Sequence, residues 1–271
     1  MYVYSIAQVS PTADKALFPP TNNFRKKNGN SVRDQQSENI MTAKTAALSL
    51  THLIQQPRQP TDRPPPLLIV LHGLGSNEHD LIGLAPYLDP RFQIVSARAP
   101  YTLAPGSYAW FELGWTATGI TIDPRQAEQS RVLLTSFIAE ALAAYGGDPA
   151  RVYLLGFSQG AIMSASVALI EPELIAGTVL MSGRVLEEIR PLIAAAEQLA
   201  GKPFLVVHGT ADTVLPIQNG RASRAILATL PVALTYQEYA MAHEVSAQSL
   251  ADVAAWLTAR LDRQSAVSTK Q

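Results

Sequence analysis

The chain contains no cysteine. Disulfide staples, thiolate nucleophiles and thiolate-ligated zinc are therefore excluded together. It also lacks any apolar run approaching the roughly 18 residues needed to cross a bilayer. Its beginning shows no basic segment followed by a long apolar stretch, the form of a secretory signal. Charge of one sign is missing too: a net charge of −1 over 271 residues gives no basic face for nucleic acid and no acidic tail. The expectation is a cytoplasmic protein without stable membrane insertion. Aromatic residues are sparse, with three tryptophans in all, so the pair Trp110 and Trp115 stands out. What the chain does have is apolar content. At 47% hydrophobic residues it can bury one substantial core, and one domain is the natural reading.

Residues 1–42 differ from the rest. They are rich in Asn, Ser, Gln and Pro, carry the small basic cluster Arg25-Lys26-Lys27, and show no hydrophobic periodicity. Such a stretch reads as a disordered tail, and Met41 stands where a natural start would lie. The patterned domain is expected over 43–263, with a short tail at 264–271.

Within that domain, short apolar runs recur. Ala47–Ile54 suggests an edge strand, and Leu67–Leu71 is continuously apolar, the mark of a strand covered on both faces. Similar runs occupy 92–97, 152–157, 178–181, 204–207 and 234–239. Between them lie helical patterns. Asp123-Pro124 opens one with a cap and a proline at the first helical position, and Gly146-Gly147 closes it. Another stripe runs through Leu250, Val253, Ala254, Leu257 and Leu261, and one helix, interrupted by Pro191, is expected over 187–200. Strands alternating with helices specify an α/β fold with a mostly parallel sheet. Functional groups gather at the carboxyl ends of such strands.

One of those ends carries Gly156-Phe157-Ser158-Gln159-Gly160, directly after Val152–Leu155. Strand, Gly-x-Ser-x-Gly and helix in succession are the form of a nucleophile elbow. The turn is so tight that the residues two before and two after the serine must be small.

A serine hydroxyl needs a base to take its proton and an acid to orient that base. On this kind of sheet they follow the serine in the order acid, then histidine. Asp212, in His208-Gly209-Thr210-Ala211-Asp212 after the 204–207 run, is the better acid. His243, in a loop before the last helix, is the better base, since His208 would sit at a strand end. The oxyanion needs two donors already in place. One is the backbone N–H of Gln159, and the loop His72-Gly73-Leu74-Gly75 offers the other at Leu74. Two rival readings of that loop fail. As a dinucleotide fingerprint it has Glu78 where the third glycine belongs, and as a metal site His72, His79 and Asp80 lack zincin spacing. No metal and no cofactor are expected.

These segments resemble the phospholipase/carboxylesterase group of α/β-hydrolases, which includes the acyl-protein thioesterases. The matching stretches are Leu71–Gly75, Ala99-Pro100 with Trp110-Phe111, Gly156–Gly160, His208–Asp212 with Val214 and Pro216, and Ala242-His243-Glu244-Val245. They span nearly all of the patterned chain. The resemblance implies an α/β-hydrolase fold without a separate lid domain. It also implies Ser158, Asp212 and His243 as a triad, with Leu74 and Gln159 as the oxyanion hole. Trp110 and Phe111 lie in a long connection read as a loop with aromatic contents; filling the core is the plain reading, and the resemblance favours lining a substrate pocket. One departure is Ala242, where the family usually carries glycine. If that position needs positive φ, alanine strains the loop.

The expected activity is a serine carboxylesterase acting on short-to-medium acyl esters through an acyl-enzyme. A lysophospholipase or acyl-protein thioesterase shares the same groups. A dienelactone-hydrolase type of enzyme would want cysteine at position 158, and a catalytically dead binding module is the rival from another class. The expected partner is a small-molecule ester, with no nucleic acid and with a homodimer as the one assembly left open. The cleft is expected to be open and shallow, walled by Leu74 and the Trp110 segment.

Overall fold

The computed structural model describes residues 47–60, 62–116 and 119–268. The tail expected at 1–42 lies outside the described residues. Among the described residues the strands are β1 (His52–Gln55), β2 (Leu67–Leu71), β3 (Gln93–Ala97), β4 (Tyr101–Ala104), β5 (Ser107–Ala109), β6 (Leu113–Thr116), β7 (Gly119–Ile122), β8 (Val152–Phe157), β9 (Gly177–Met181), β10 (Pro203–Gly209) and β11 (Ala233–Tyr239). The long helices are α1 (Pro124–Tyr145), α2 (Gln159–Ile170), α3 (Ile217–Ala228) and α4 (Ala247–Ser268). The last of these runs past the domain end expected at 263.

Seven strands form one sheet in the order β1-β3-β2-β8-β9-β10-β11. β1 pairs antiparallel with β3, and every other pairing in this sheet is parallel. The continuous apolar run at Leu67–Leu71 now has its reason. Leu67, Ile69 and Leu71 enter one core layer with Leu134, Phe137 and Ile138 of α1 and Met163 and Val167 of α2. Leu68 and Val70 point the other way, toward Leu250, Val253 and Leu257 of α4. Because side chains alternate across a strand, both parities must be apolar when both faces are covered. Each such side chain contributes about 1.5–3 kcal/mol on burial. Ile69→Ala would therefore open a cavity costing about 2–5 kcal/mol.

Helix ends follow local chemistry. The Asp123 carboxylate accepts from the amides of Arg125 and Gln126 at the start of α1, Pro124 occupies the first turn, and Gly146 ends the helix at φ 67°. α2 is buried from Gln159 through Leu169. Its small residues (Gly160, Ala161, Ser164, Ala165, Ala168) let it lie close on the sheet.

Two segments differ from the sequence reading. The connection over 98–122 is two small antiparallel ribbons, β4 with β5 and β6 with β7. Each is too short to show a period-two pattern. The single helix expected over 187–200 is instead a 3-10 segment, Glu187–Leu192, then a one-turn helix, Ala196–Leu199. Pro191 lacks the N–H that an α-helix would use there, so the segment around it is 3-10 and ends one residue later at Leu192.

Candidate active site

Ser158 sits between the end of β8 and the first turn of α2 at φ 53°, ψ −116°. A non-glycine residue stays in that region only when its surroundings force it there. The constraint is visible on both sides. A Cβ on Gly156 would lie 2.2 Å from the carbonyl oxygen of Gly160, and one on Gly160 would lie 2.0 Å from that of Leu71. The smallness demanded by the Gly-x-Ser-x-Gly spacing is thus a clash across the turn and a clash with β2. The Ser158 amide is tied to the Met181 carbonyl of β9 at 2.9 Å.

Asp212 follows β10. Its Oδ1 accepts from the amides of Val214 and Leu215 at 2.9 and 2.8 Å, and its Oδ2 accepts from His243 Nδ1 at 2.7 Å. Burial pushes its carboxyl up, but the bond from His243 and those from the Leu215 and Val214 amides outweigh burial and hold it below the ordinary value. With Nδ1 bound to the carboxylate, the lone pair of the His243 ring resides on Nε2. The ring also lies against Phe157, with centroids 4.9 Å apart.

His208, set aside as the base in the sequence reading, brings its Nε2 to 3.5 Å from Asp212 Oδ2. It is buried within β10, donates from Nε2 to the Leu215 carbonyl at 2.7 Å, and is roofed by α3. A Cβ on Gly220 would meet its ring at 2.8 Å. Ala242 does not need glycine: Ser158 and Ser182 are the non-glycine residues with positive φ among those described. The position does not take positive φ, so the condition under which alanine would strain the loop is not met.

The loop after β2 passes directly over the serine. A Cβ on Gly73 would come within 3.3 Å of Ser158 Cβ. Its position is fixed by His72, whose Nδ1 donates to the Gly73 carbonyl at 2.8 Å while Nε2 accepts from the Ala99 amide at 3.0 Å. Both ring nitrogens are committed to backbone, so His72 has none for a metal. Burial, opposed by the Gly73 bond, lowers its pKa to about 4. Farther along the loop, Glu78 is buried in an ion pair with Arg98, whose guanidinium lies 4.5 Å from the centre of the Tyr108 ring.

Gln159 begins α2, where a first-turn N–H has no carbonyl one turn back to bond. Its side chain performs a second task. Oε1 accepts from the Trp110 amide at 2.8 Å and Nε2 donates to the Phe111 carbonyl at 2.6 Å. Trp110 itself is a correction to the pocket-lining reading. Its side chain is fully buried, its indole N–H donates to the His72 carbonyl at 3.0 Å, and it does not border the cleft. An indole that large gains more from core burial, with its one donor satisfied, than from a place at a wetted surface.

Ser158 and His243 open onto one cavity of about 280 Å³. Its walls are largely apolar: Leu74, Phe111, Leu113, Ile122, Ile162 and the Val214–Pro216 turn. Phe111 borders it, and so do Leu113 and Ile122, supplied by the β6–β7 ribbon, which the sequence reading did not single out. Arg184 and Asn219 also border it and were missed. The motif-flanking positions Val214 and Pro216 carried a signal for the turn; nothing local marked Arg184.

Comparison with known proteins bears on the same segments. The sequence profile described as phospholipase/carboxylesterase matches residues 52–261. The chain belongs to the phospholipase/carboxylesterase family. This family membership makes it an enzyme of the serine-hydrolase class. An acyl-protein thioesterase 1 from Kluyveromyces lactis is 26% identical over 210 residues, 72% of this chain and 92% of that protein. Among solved structures, a Bacillus cereus carboxylesterase superposes with a TM-score of 0.68 at 25% identity, covering 82% of this chain and 99% of that one. Esterase PE8 superposes with a TM-score of 0.65 at 26% identity, covering 77% and 98%. The α/β-hydrolase architecture is shared, and no helix among the described residues is long and apolar enough to cross a membrane.

Proposed function

We propose that the chain is a carboxylesterase whose nucleophile is Ser158, whose base is His243 and whose orienting acid is Asp212. The observation that carries this reading is the 2.7 Å bond from His243 Nδ1 to a buried Asp212, with the strained Ser158 on the same cavity. His243 Nε2 takes the serine proton as Oγ attacks the ester carbonyl. The N–H groups of Leu74 and Gln159 receive the oxyanion. The alcohol leaves with the proton held by His243, and water, activated by the same ring, then releases the acid from the acyl-serine.

A cavity of about 280 Å³ lies at the small end of ligand pockets, which run roughly 300–1,000 Å³. Short-to-medium acyl chains fit within its apolar walls and gain about 0.8 kcal/mol per buried CH₂; longer chains leave the walls and gain nothing more. A panel of acyl lengths on oxygen and sulfur leaving groups tests this. The expected result is highest kcat/KM on soluble short-to-medium oxygen esters. Strong preference for emulsified long-chain triglyceride overturns it. A second reading, thioester hydrolysis, draws support from the thioesterase relative, and a sulfur-over-oxygen preference in the same panel selects it. Failure of a fluorophosphonate to label the protein would leave only the non-catalytic module.

A further inference from the structure

Arg184 is the one formally charged residue bordering the cavity. It follows Ser182-Gly183 at the end of β9, close to the elbow. A Cβ on Gly183 would lie 2.4 Å from Ala161 Cβ and 3.1 Å from the Ser158 carbonyl oxygen. Arg184 is half-buried. Two acids close to it are engaged elsewhere: Glu187 pairs with Arg190, and Asp212 is bonded by His243, Val214 and Leu215. Among the described residues no carboxylate pairs with Arg184, in contrast to Arg91, Arg98, Arg131, Arg151 and Arg221, which all hold acids.

An arginine beside an apolar wall gives up part of its hydration, and that loss goes unreturned without an anion. Its planar fork of donors fits a carboxylate or phosphate with two parallel bonds. Asn219, on the same cavity, uses its amide N–H toward the Pro216 carbonyl at 3.0 Å and leaves its oxygen to accept.

We propose that Arg184 is a specificity residue and that the preferred substrate is an ester or thioester carrying one anionic group within a few bonds of the reacting carbonyl. The shared chemistry is a single carboxylate or phosphate, borne either by the acyl part or by the leaving group. This rests on the serine-hydrolase site proposed above.

The experiment compares matched anionic and neutral substrates. One arm places a terminal carboxylate on the acyl chain, using the 4-nitrophenyl half-ester of glutaric acid against the 4-nitrophenyl ester of pentanoic acid. The other places it on the leaving group, using the butyryl ester of 3-hydroxybenzoate against that of phenol. The readout is the anionic-to-neutral ratio of kcat/KM in wild type, Arg184→Lys and Arg184→Gln. One arm should favour the anionic substrate in wild type. Arg184→Gln should lower that ratio by roughly 10- to 100-fold, as expected for lost charged hydrogen bonds, mainly through KM. Arg184→Lys should keep part of it, and raised salt should shrink it in wild type more than in Arg184→Gln. The arm that responds identifies where the charge sits. Equal ratios in all three proteins, or an equal fall on charged and neutral substrates, overturn the proposal. Fluorophosphonate labelling of each variant reports whether the serine site is intact. Loss of labelling in wild type would instead mean that the underlying site assignment has failed.

Discussion

Gln159 holds Trp110 and Phe111 by their backbone: its side-chain oxygen accepts from the Trp110 amide at 2.8 Å and its nitrogen donates to the Phe111 carbonyl at 2.6 Å. The residue after Ser158 thus anchors the strip of chain that supplies Phe111 to the cavity wall.

Replacing Gln159 with Leu strands two buried backbone groups. A loss of about 2–6 kcal/mol in urea unfolding is expected, because each unsatisfied group costs about 1–3 kcal/mol. KM should rise as Phe111 loosens. Trp110→Ala acts on the same strip through volume. A fully buried indole is removed, and about 3–5 kcal/mol of stability should go with it. If Trp110→Ala raised KM without lowering stability, the side chain would have to face the cleft.

Ser158→Ala should abolish ester turnover and fluorophosphonate labelling, with unfolding preserved. The loss expected for a triad member is roughly 10⁴- to 10⁶-fold in rate. Asp212→Asn should also be severe, since the amide cannot hold the His243 ring with Nε2 free to accept. Wild-type rates in Ser158→Ala, or a mild effect of Asp212→Asn, would send the search for nucleophile or acid elsewhere.

Stability should fall on mild acidification because of His72. Its folded value, lowered to about 4 by burial, lies below an unfolded value near 6.5. Between those pH values the unfolded chain takes the proton and the folded chain refuses it. The stabilisation is complete above about pH 6.5 and decays as pH falls to about 4, a change of about 3 kcal/mol. Asp212 has the same sign in a lower window: its carboxyl is depressed, so its contribution holds above the ordinary carboxylate range and is lost below it. Urea unfolding at pH 7, 5.5 and 4.5 should show a shallower slope in His72→Gln than in wild type. Equal slopes would remove His72 from this role.

Ala242→Gly should not improve the enzyme. Ala242 is exposed and lacks positive φ, so glycine relieves no strain and only enlarges the freedom of the unfolded chain. A loss of about 0.4–1 kcal/mol is expected, with activity close to wild type. A clear gain in kcat would show that the loop before His243 was restrained after all.

Much of this protein was legible in one dimension because its signals are local. Strands covered on both faces must be apolar at every position, so Leu67–Leu71 and Val152–Phe157 announced themselves. The turn at Ser158 tolerates no Cβ at 156 or 160, so its glycines were readable as a requirement. Asp123, Pro124 and Gly146 marked the limits of α1 through hydrogen bonds and dihedral angles that the residue types themselves favour. Asp212 and His243 were accessible through order along the chain, since parallel strands deliver their carboxyl-end loops to one edge of the sheet.

Other features depended on contacts that no local pattern encodes. Whether Trp110 faced cleft or core was decided by Gln159 and His72, 49 and 38 positions away in sequence. The β4–β5 and β6–β7 ribbons are too short to carry a periodicity, and their partner strands define them. The harmlessness of Ala242 rests on a backbone angle set by how its loop packs. Arg184 became conspicuous only when folding put it on the serine's cavity with no carboxylate paired to it among the described residues. Sequence by itself determined the strands of the main sheet and the long helices, and marked Ser158, Asp212 and His243 as the candidates for a catalytic site, because those follow from short-range sterics, hydrogen bonding and order along the chain. Tertiary structure decided what lines the cavity and which charge lacks a partner, because burial and pairing are properties of neighbours brought together across the chain.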